Sequence, residues 1–234
     1  MEANFSEFQF AYFITKEIED RVYFSNLPLQ APYIPNQVEE SAGGYDVSFT
    51  GFVSIFLQYK LPIMLTRKNA KEWSDFQREY FRIKIYPDAD SHQHNSLVEL
   101  ANRERRNQVF YCAPAFIKDS DLYQFHMTQT VAVNSVFINC YGLQRIVGND
   151  KHNICYTVDP DRSIMYSVPT ETKINRGWEG LEDKSQKYED IKEFVHSISR
   201  LHKINIAEDN IKDDLKEISN YFISNGVHMI LLKA

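Results

Sequence analysis

Asp46, Gln58 and Lys60 are the residues whose types and spacing point most directly to chemistry. Gln58 and Lys60 close the run 53–61 (VSIFLQYKL), which is apolar enough to be a strand covered on both faces. Side chains alternate along a strand, so these two share one face while Leu57, Tyr59 and Leu61 take the other. Burying an unpaired ammonium is costly, and a glutamine and a lysine side by side on an apolar strand therefore ask for a reason. Asp46 sits in 45–49 (YDVSF), a short strand expected between a turn at Gly43-Gly44 and a second turn at Gly51. With that strand beside 53–61, a carboxylate, an amide oxygen and an ammonium converge. A hard cation such as Mg²⁺ or Mn²⁺ takes oxygen ligands, so Asp46, the Gln58 oxygen and a nearby glutamate would hold it. Lys60 would then orient or help deprotonate a bound water, and the cation would offset charge developing at a phosphate. A purely structural reading stands beside this one: Asp46 caps the Gly-Gly turn, Gln58 bonds to backbone, and Lys60 snorkels from the strand end beside Pro62.

The elements that must position these residues follow from periodicity. Phe5, Phe8, Tyr12, Ile14 and Ile18 recur at helical spacing after Asn4, a candidate N-cap, which predicts a helix over 5–20. Three prolines between 25 and 35 impose an extended loop. After Pro62 a helix is expected over 70–78, then a half-buried strand over 80–86 (YFRIKIY), a helix over 93–106 and a buried strand over 109–113. A helix over 120–130 follows, opened by Asp119-Ser120-Asp121, and then strands over 135–140, 153–158 and 163–168, the last two as a hairpin. Asp150-Lys151-His152 reads as a turn. Beyond a polar linker at 176–184, two amphipathic helices are expected, the second closed by Asn225-Gly226, with a final strand over 229–232. The divisions are 1–175, an α/β core with appended strands, and 176–234, a helical extension packed on the same domain.

Gly44-Tyr45-Asp46, eleven intervening residues and Gln58-Tyr59-Lys60, set between a helix and a strand, helix and strand, resemble the restriction-endonuclease-like superfamily with its PD-(D/E)XK motif. The resemblance covers roughly 5–116. It implies an α/β fold with an αβββαβ core and mixed central sheet, and a Mg²⁺-dependent nuclease cleaving DNA phosphodiester bonds. Asp46 matches the motif aspartate, Gln58 the usual acid and Lys60 the motif lysine. A glutamate from the first helix often joins such sites, which brings in Glu17 beside Glu40. Tyr45 replaces the motif proline, and Gln58 supplies no charge to a metal, so a catalytically inactive binding or assembly module of the same fold is the alternative.

Gln93 and His94, with His92, open the helix after the half-buried strand, where they would contact substrate. Arg67 and Lys68 begin a basic stretch continued by Lys71, Arg78, Arg82 and Lys84 and by Arg103, Arg105 and Arg106, either a solvated face or a phosphate-contacting rim. The net charge of −6 gives no global field toward nucleic acid, so a polyanion site must be local. Cys112, Cys140 and Cys155 have no Cys-x-x-Cys spacing and read as buried thiols. There is no Gly-x-Ser-x-Gly elbow, phosphate-binding glycine loop or Cys/His zinc spacing. Without a secretion-type N-terminus or a run of roughly 18 apolar residues, a cytoplasmic protein with no membrane partner is expected. DNA is the expected partner, with a homodimer or a partner protein left open.

Overall fold

The computed structural model describes residues 1–24, 50–86, 93–103, 107–148, 152–158, 161–166, 169–176, 188–207 and 210–233. Asp46, Glu40 and His92, the strand expected over 45–49 and the loop over 25–35 lie outside them. In chain order the elements are α1 (Glu7–Phe24), β1 (Thr50–Tyr59), β2 (Ile63–Leu65), α2 (Trp73–Phe76), β3 (Tyr80–Ile85), α3 (Gln93–Arg103), β4 (Asn107–Pro114), α4 (Asp119–Met127) and β5 (Ser135–Asn139). They continue with β6 (His152–Val158), β7 (Asp161–Tyr166), β8 (Thr170–Thr172), β9 (Ile174–Arg176), β10 (Tyr188–Asp190), α5 (Ile191–His202), α6 (Ile211–Ser224) and β11 (His228–Lys233). The fold is mixed α/β.

The larger sheet runs β10-β1-β4-β5-β9, with β11 also paired to β1. β1 and β4 are parallel, with Gln58 opposite Tyr111, and the other pairs are antiparallel, so the sheet is mixed. A parallel neighbour demands a long crossover, and here the chain passes through β2, β3 and α3 between β1 and β4. The second sheet, β2-β3-β6-β7-β8, is wholly antiparallel. The hairpin expected from the two late strands is β6–β7, closed between Val158 and Asp161.

Alternation along β1 sorts the layers. Ile55, Leu57 and Tyr59 pack with Phe10, Ile14 and Ile18 of α1. Phe56, on the opposite face, packs with Phe194 of α5 and Phe222 of α6, its ring centroid 4.8 Å from that of Phe222. That same cluster takes in Leu97 and Leu100 of α3, with Phe81 and Ile83 of the second sheet. α2 covers the far side of that sheet, where Phe76 stacks on Tyr80.

Several local expectations change. Gly51 lies inside β1 rather than at a turn, and over Ser54–Leu57 both edges of β1 are taken, one by β4 and the other by β11. The helix expected over 70–78 contracts to the single turn of α2, because Gln77 adopts the left-handed conformation (φ 54°) and ends it. α1 begins at Glu7 behind a reciprocal capping box. Gln9 N donates to Ser6 Oγ (3.1 Å), and Ser6 N donates to Gln9 Oε1 (2.9 Å). Asn4, the expected cap, instead clamps the start of α4: its Oδ1 accepts from Asp119 N (2.6 Å) and its Nδ2 donates to Asp119 Oδ1 (3.1 Å). His152 is the first residue of β6 rather than part of a turn, and Arg176 belongs to β9 rather than a linker. The Asn225-Gly226 stop is as read: Val227 N donates to Phe222 O (2.9 Å) and Gly226 N to Ile223 O (2.7 Å), a Schellman closure with Gly226 at φ +68°.

Candidate functional site

Lys60 follows the last residue of β1, and its backbone N–H donates to Cys112 O of β4 (3.0 Å), which fixes the strand end. The carboxyl end of parallel strands is where open α/β sheets place ligands. Lys60 Nζ donates to Gln93 Oε1 (3.1 Å), and the Gln93 amide nitrogen donates onward to Asn225 O at the close of α6. Gln58 stands on the same face of β1, its amide within about 4 Å of where a Cβ on Gly226 would sit. The structure therefore brings together Gln58, Lys60 and Gln93, with the α6 cap as their backing.

Gln58 is 2% exposed. Its Nε2 donates to Tyr59 O (3.2 Å), while its Oε1 is buried with no hydrogen-bond partner among the described residues. Buried polar atoms normally find partners, and an acceptor oxygen left open is a chemically incomplete position. It is the type of atom a hard cation takes. Among the described residues no three His, Cys, Asp or Glu side chains cluster as metal ligands, and Asp46 and Glu40 are not among those residues.

Beside Lys60 opens a cleft of about 280 Å³. Its polar lining is Lys60, Arg82 and Lys84 with Glu2 and Glu7, and the exposed Tyr86 also borders it. Leu61, Pro62 and Ile63 supply apolar lining. Alternation along β3 explains the wall: Phe81, Ile83 and Ile85 go to the core, so Arg82, Lys84 and Tyr86 share the outer face. Arg82 is partly committed elsewhere, with Nη1 3.5 Å from the buried Glu72 carboxylate. Glu2 is brought in by the bridge between its own residue and Ile63 of β2.

The electrostatics of the cleft centre on Lys60 and Glu7. Burial lowers the Lys60 pKa, and the Glu7 carboxylate opposes that by favouring the ammonium. Burial raises the Glu7 pKa, and Lys60 opposes that in turn. Each charge thus offsets part of the other's desolvation.

The remaining expected residues fall elsewhere. His94 is buried with both ring nitrogens engaged: Nε2 faces Gln144 O (2.9 Å) and Nδ1 faces Tyr111 Oη (2.8 Å). A carbonyl only accepts, so Nε2 carries the proton and Nδ1 accepts from the tyrosine. Asn95, its neighbour, bonds both N–H and C=O of Ile146, so His94 and Asn95 tie this end of α3 to the 144–146 segment, while Gln93 turns to Lys60. Arg67 and Lys68 are exposed after β2 and do not line the cleft. Glu17 is 5% exposed and accepts from Val131 N (2.7 Å) and Ala132 N (2.9 Å), which ties α1 to the segment before β5. The first helix delivers Glu7 to Lys60 instead. Sequence reasoning missed Glu7, and its only signal was position in the first turn of α1. Arg103 pairs with Glu99 (2.7 Å) on α3, and the three cysteines are buried free thiols. No helix among the described residues is long and apolar enough to cross a membrane.

No family model matches the chain, and neither a curated protein nor a solved structure matches it.

Proposed function

We propose that this chain is a nuclease-like protein with a restriction-endonuclease-like core, acting on DNA phosphodiester bonds with Mg²⁺ or Mn²⁺. The observation that carries the reading is the meeting of Gln58, Lys60 and Gln93 at the carboxyl end of β1, beside a cleft walled by Lys84 and Arg82. The parallel pairing of β1 with β4, reached through a crossover that includes α3, supports the reading as a parallel element in a mixed sheet. The open acceptor at Gln58 Oε1 fits an oxygen ligand to a divalent cation, with Asp46 and Glu40 as the residues that would add charge. Such a cation, when bound, offsets the charge that develops on the phosphate. Lys60 orients the attacking water and steadies the phosphate oxygens, and its burial-lowered pKa favours proton exchange. Lys84 and Arg82 hold the flanking backbone.

Cleavage of linear, supercoiled and single-stranded DNA with and without Mg²⁺ tests this. Lys60→Ala should lose about 10²-fold or more in rate while keeping its fold by circular dichroism. Equal rates in the two proteins would remove Lys60 from the chemistry.

A second reading is favoured by Gln58 itself. A neutral amide, 2% exposed and backed by Gly226, stands where the motif has an acid. On that reading the chain is a catalytically inactive binding or assembly module of the same fold. Calorimetry that detects no Mg²⁺ or Mn²⁺ binding, together with stable association with a partner chain, would select it.

A further inference from the structure

We infer that the cleft beside Lys60 takes one nucleotide unit of a single-stranded nucleic acid, with Tyr86 as the stacking platform for its base and Lys84 with Lys60 as the phosphate contacts. The inference rests on the nucleic-acid reading above and narrows its substrate class.

Size comes first. At about 280 Å³ the cleft lies at the small end of ligand pockets, roughly 300–1,000 Å³. That is the scale of a nucleotide rather than of a duplex groove face.

Next is the character of its walls. Tyr86 is 56% exposed at the rim and follows directly after β3, so its ring is available to a base. Base-on-aromatic stacking is the general device for holding single strands, because every base presents a π face once it is unstacked from a partner strand. Lys84 is exposed two residues before it and shares its face of β3, which sets a cation next to a stacking ring. Leu61 and Ile63 give apolar lining against which the sugar or a base edge can rest.

The third consideration is charge. The wall offers three cations, one of them, Arg82, shared with Glu72. Glu2 and Glu7 line the same cleft, and Glu7 lies close enough to Lys60 for their charges to interact. Carboxylates repel phosphate, so the cleft can hold one backbone on Lys60 and Lys84, and the added phosphates of a second strand are disfavoured by Glu2 and Glu7. The net charge of −6 over the whole chain adds to that, because a duplex brings many phosphates past an acidic surface.

Fluorescence anisotropy in EDTA separates binding from cleavage. The probes are labelled dT12, U12 and a 20-base-pair DNA duplex, titrated with the full chain at several salt concentrations. The single strands should bind at least about tenfold tighter than the duplex, with a log–log salt slope of about −1.4 for the two contacting cations. The dT12 and U12 arms tell DNA from RNA. Tyr86→Ala should weaken single-strand binding by roughly 5- to 100-fold, the range for one stacked base, and Tyr86→Phe should restore it. Duplex binding as tight as single-strand binding, or an unchanged affinity for Tyr86→Ala, overturns the inference while leaving the nuclease reading in place. Absence of binding to all three probes overturns both.

Discussion

Burial shifts Lys60 and Glu7 toward their neutral forms and each one's charge opposes the other's shift, a coupling that can be measured one residue at a time. Burial pulls the Lys60 pKa down and Glu7 pulls it back up. Glu7→Gln leaves burial unopposed, so the Lys60 pKa should fall further, as read by a ¹³Cε NMR titration of the lysines. An unchanged or higher value would show that the two charges do not interact. The stability consequence has a definite sign. Between the folded pKa of Lys60 and its ordinary value of 10.5 the unfolded chain binds more protons, so stability rises with pH across that window. In Glu7→Gln the window should widen downward. Gln58 and Lys60 were legible in the sequence because period-two alternation puts them on one face whatever the rest of the chain does. The choice between Glu7 and Glu17 was not legible. Helical periodicity says which face of α1 is buried, but which turn of α1 meets the end of β1 is a tertiary fact. Glu17 instead receives the N–H groups of Val131 and Ala132, more than a hundred residues away.

At the scale of elements, the closure of α6 holds the Lys60 site through Gln93. Gly226 has φ +68°, and a Cβ there would stand 2.7 Å from Gln93 Nε2. Gly226→Ala should cost about 1–3 kcal/mol from backbone strain and should also push the Gln93 amide off Asn225 O and Lys60. Gly142→Ala is the matched control: Gly142 has φ +81° but open space around its Cβ position, so it should show the strain alone. Urea denaturation reads the cost, and the Lys60 titration reads the displacement; a Gly226→Ala protein with an unaltered Lys60 pKa would break the proposed link. The Asn225-Gly226 stop, the β6–β7 hairpin and the outward face of β3 were all legible, since each rests on neighbouring residues. The turn expected at Gly51 failed for the opposite reason. Glycine permits a turn, but pairing of Thr50 and Phe52 with β10 and of residues 52–57 with β11 makes the extended conformation the favourable one.

Across the whole molecule, the packing of α5 against α6 gives the fold an acid-sensitive seam. His202 packs against the rings of Tyr221 and Phe222 and meets Tyr221 Oη at 3.3 Å, while its Nε2 is buried without a hydrogen-bond partner among the described residues. Burial lowers its pKa from 6.5 to about 4, with Glu99 opposing and Arg103 assisting. The unfolded chain therefore takes up a proton at this residue before the folded chain does. This residue's contribution to stability is whole above about pH 6.5 and is lost progressively as the pH falls toward about 4. Urea midpoints at pH 7.5 and 4.5 should differ less in His202→Asn than in the parent, and an equal difference would clear His202 of the effect. Three clusters of buried side chains around the two sheets form the core. The second sheet as a separate layer was not visible in the sequence, because its edges, β2 and β8, are three-residue strands that exist only through their partners.

The pairing of β1 with β11 also has a kinetic side. β1 is bonded on one edge to a strand reached through a long crossover and on the other to one drawn from residues 228–233. Contacts between segments so far apart in sequence carry a high loop-closure cost and slow the search for the native state. Until His228–Lys233 arrives, the apolar strand that carries Gln58 presents an unsealed edge to other chains, so this stretch is where the unfinished protein is most exposed to misassembly.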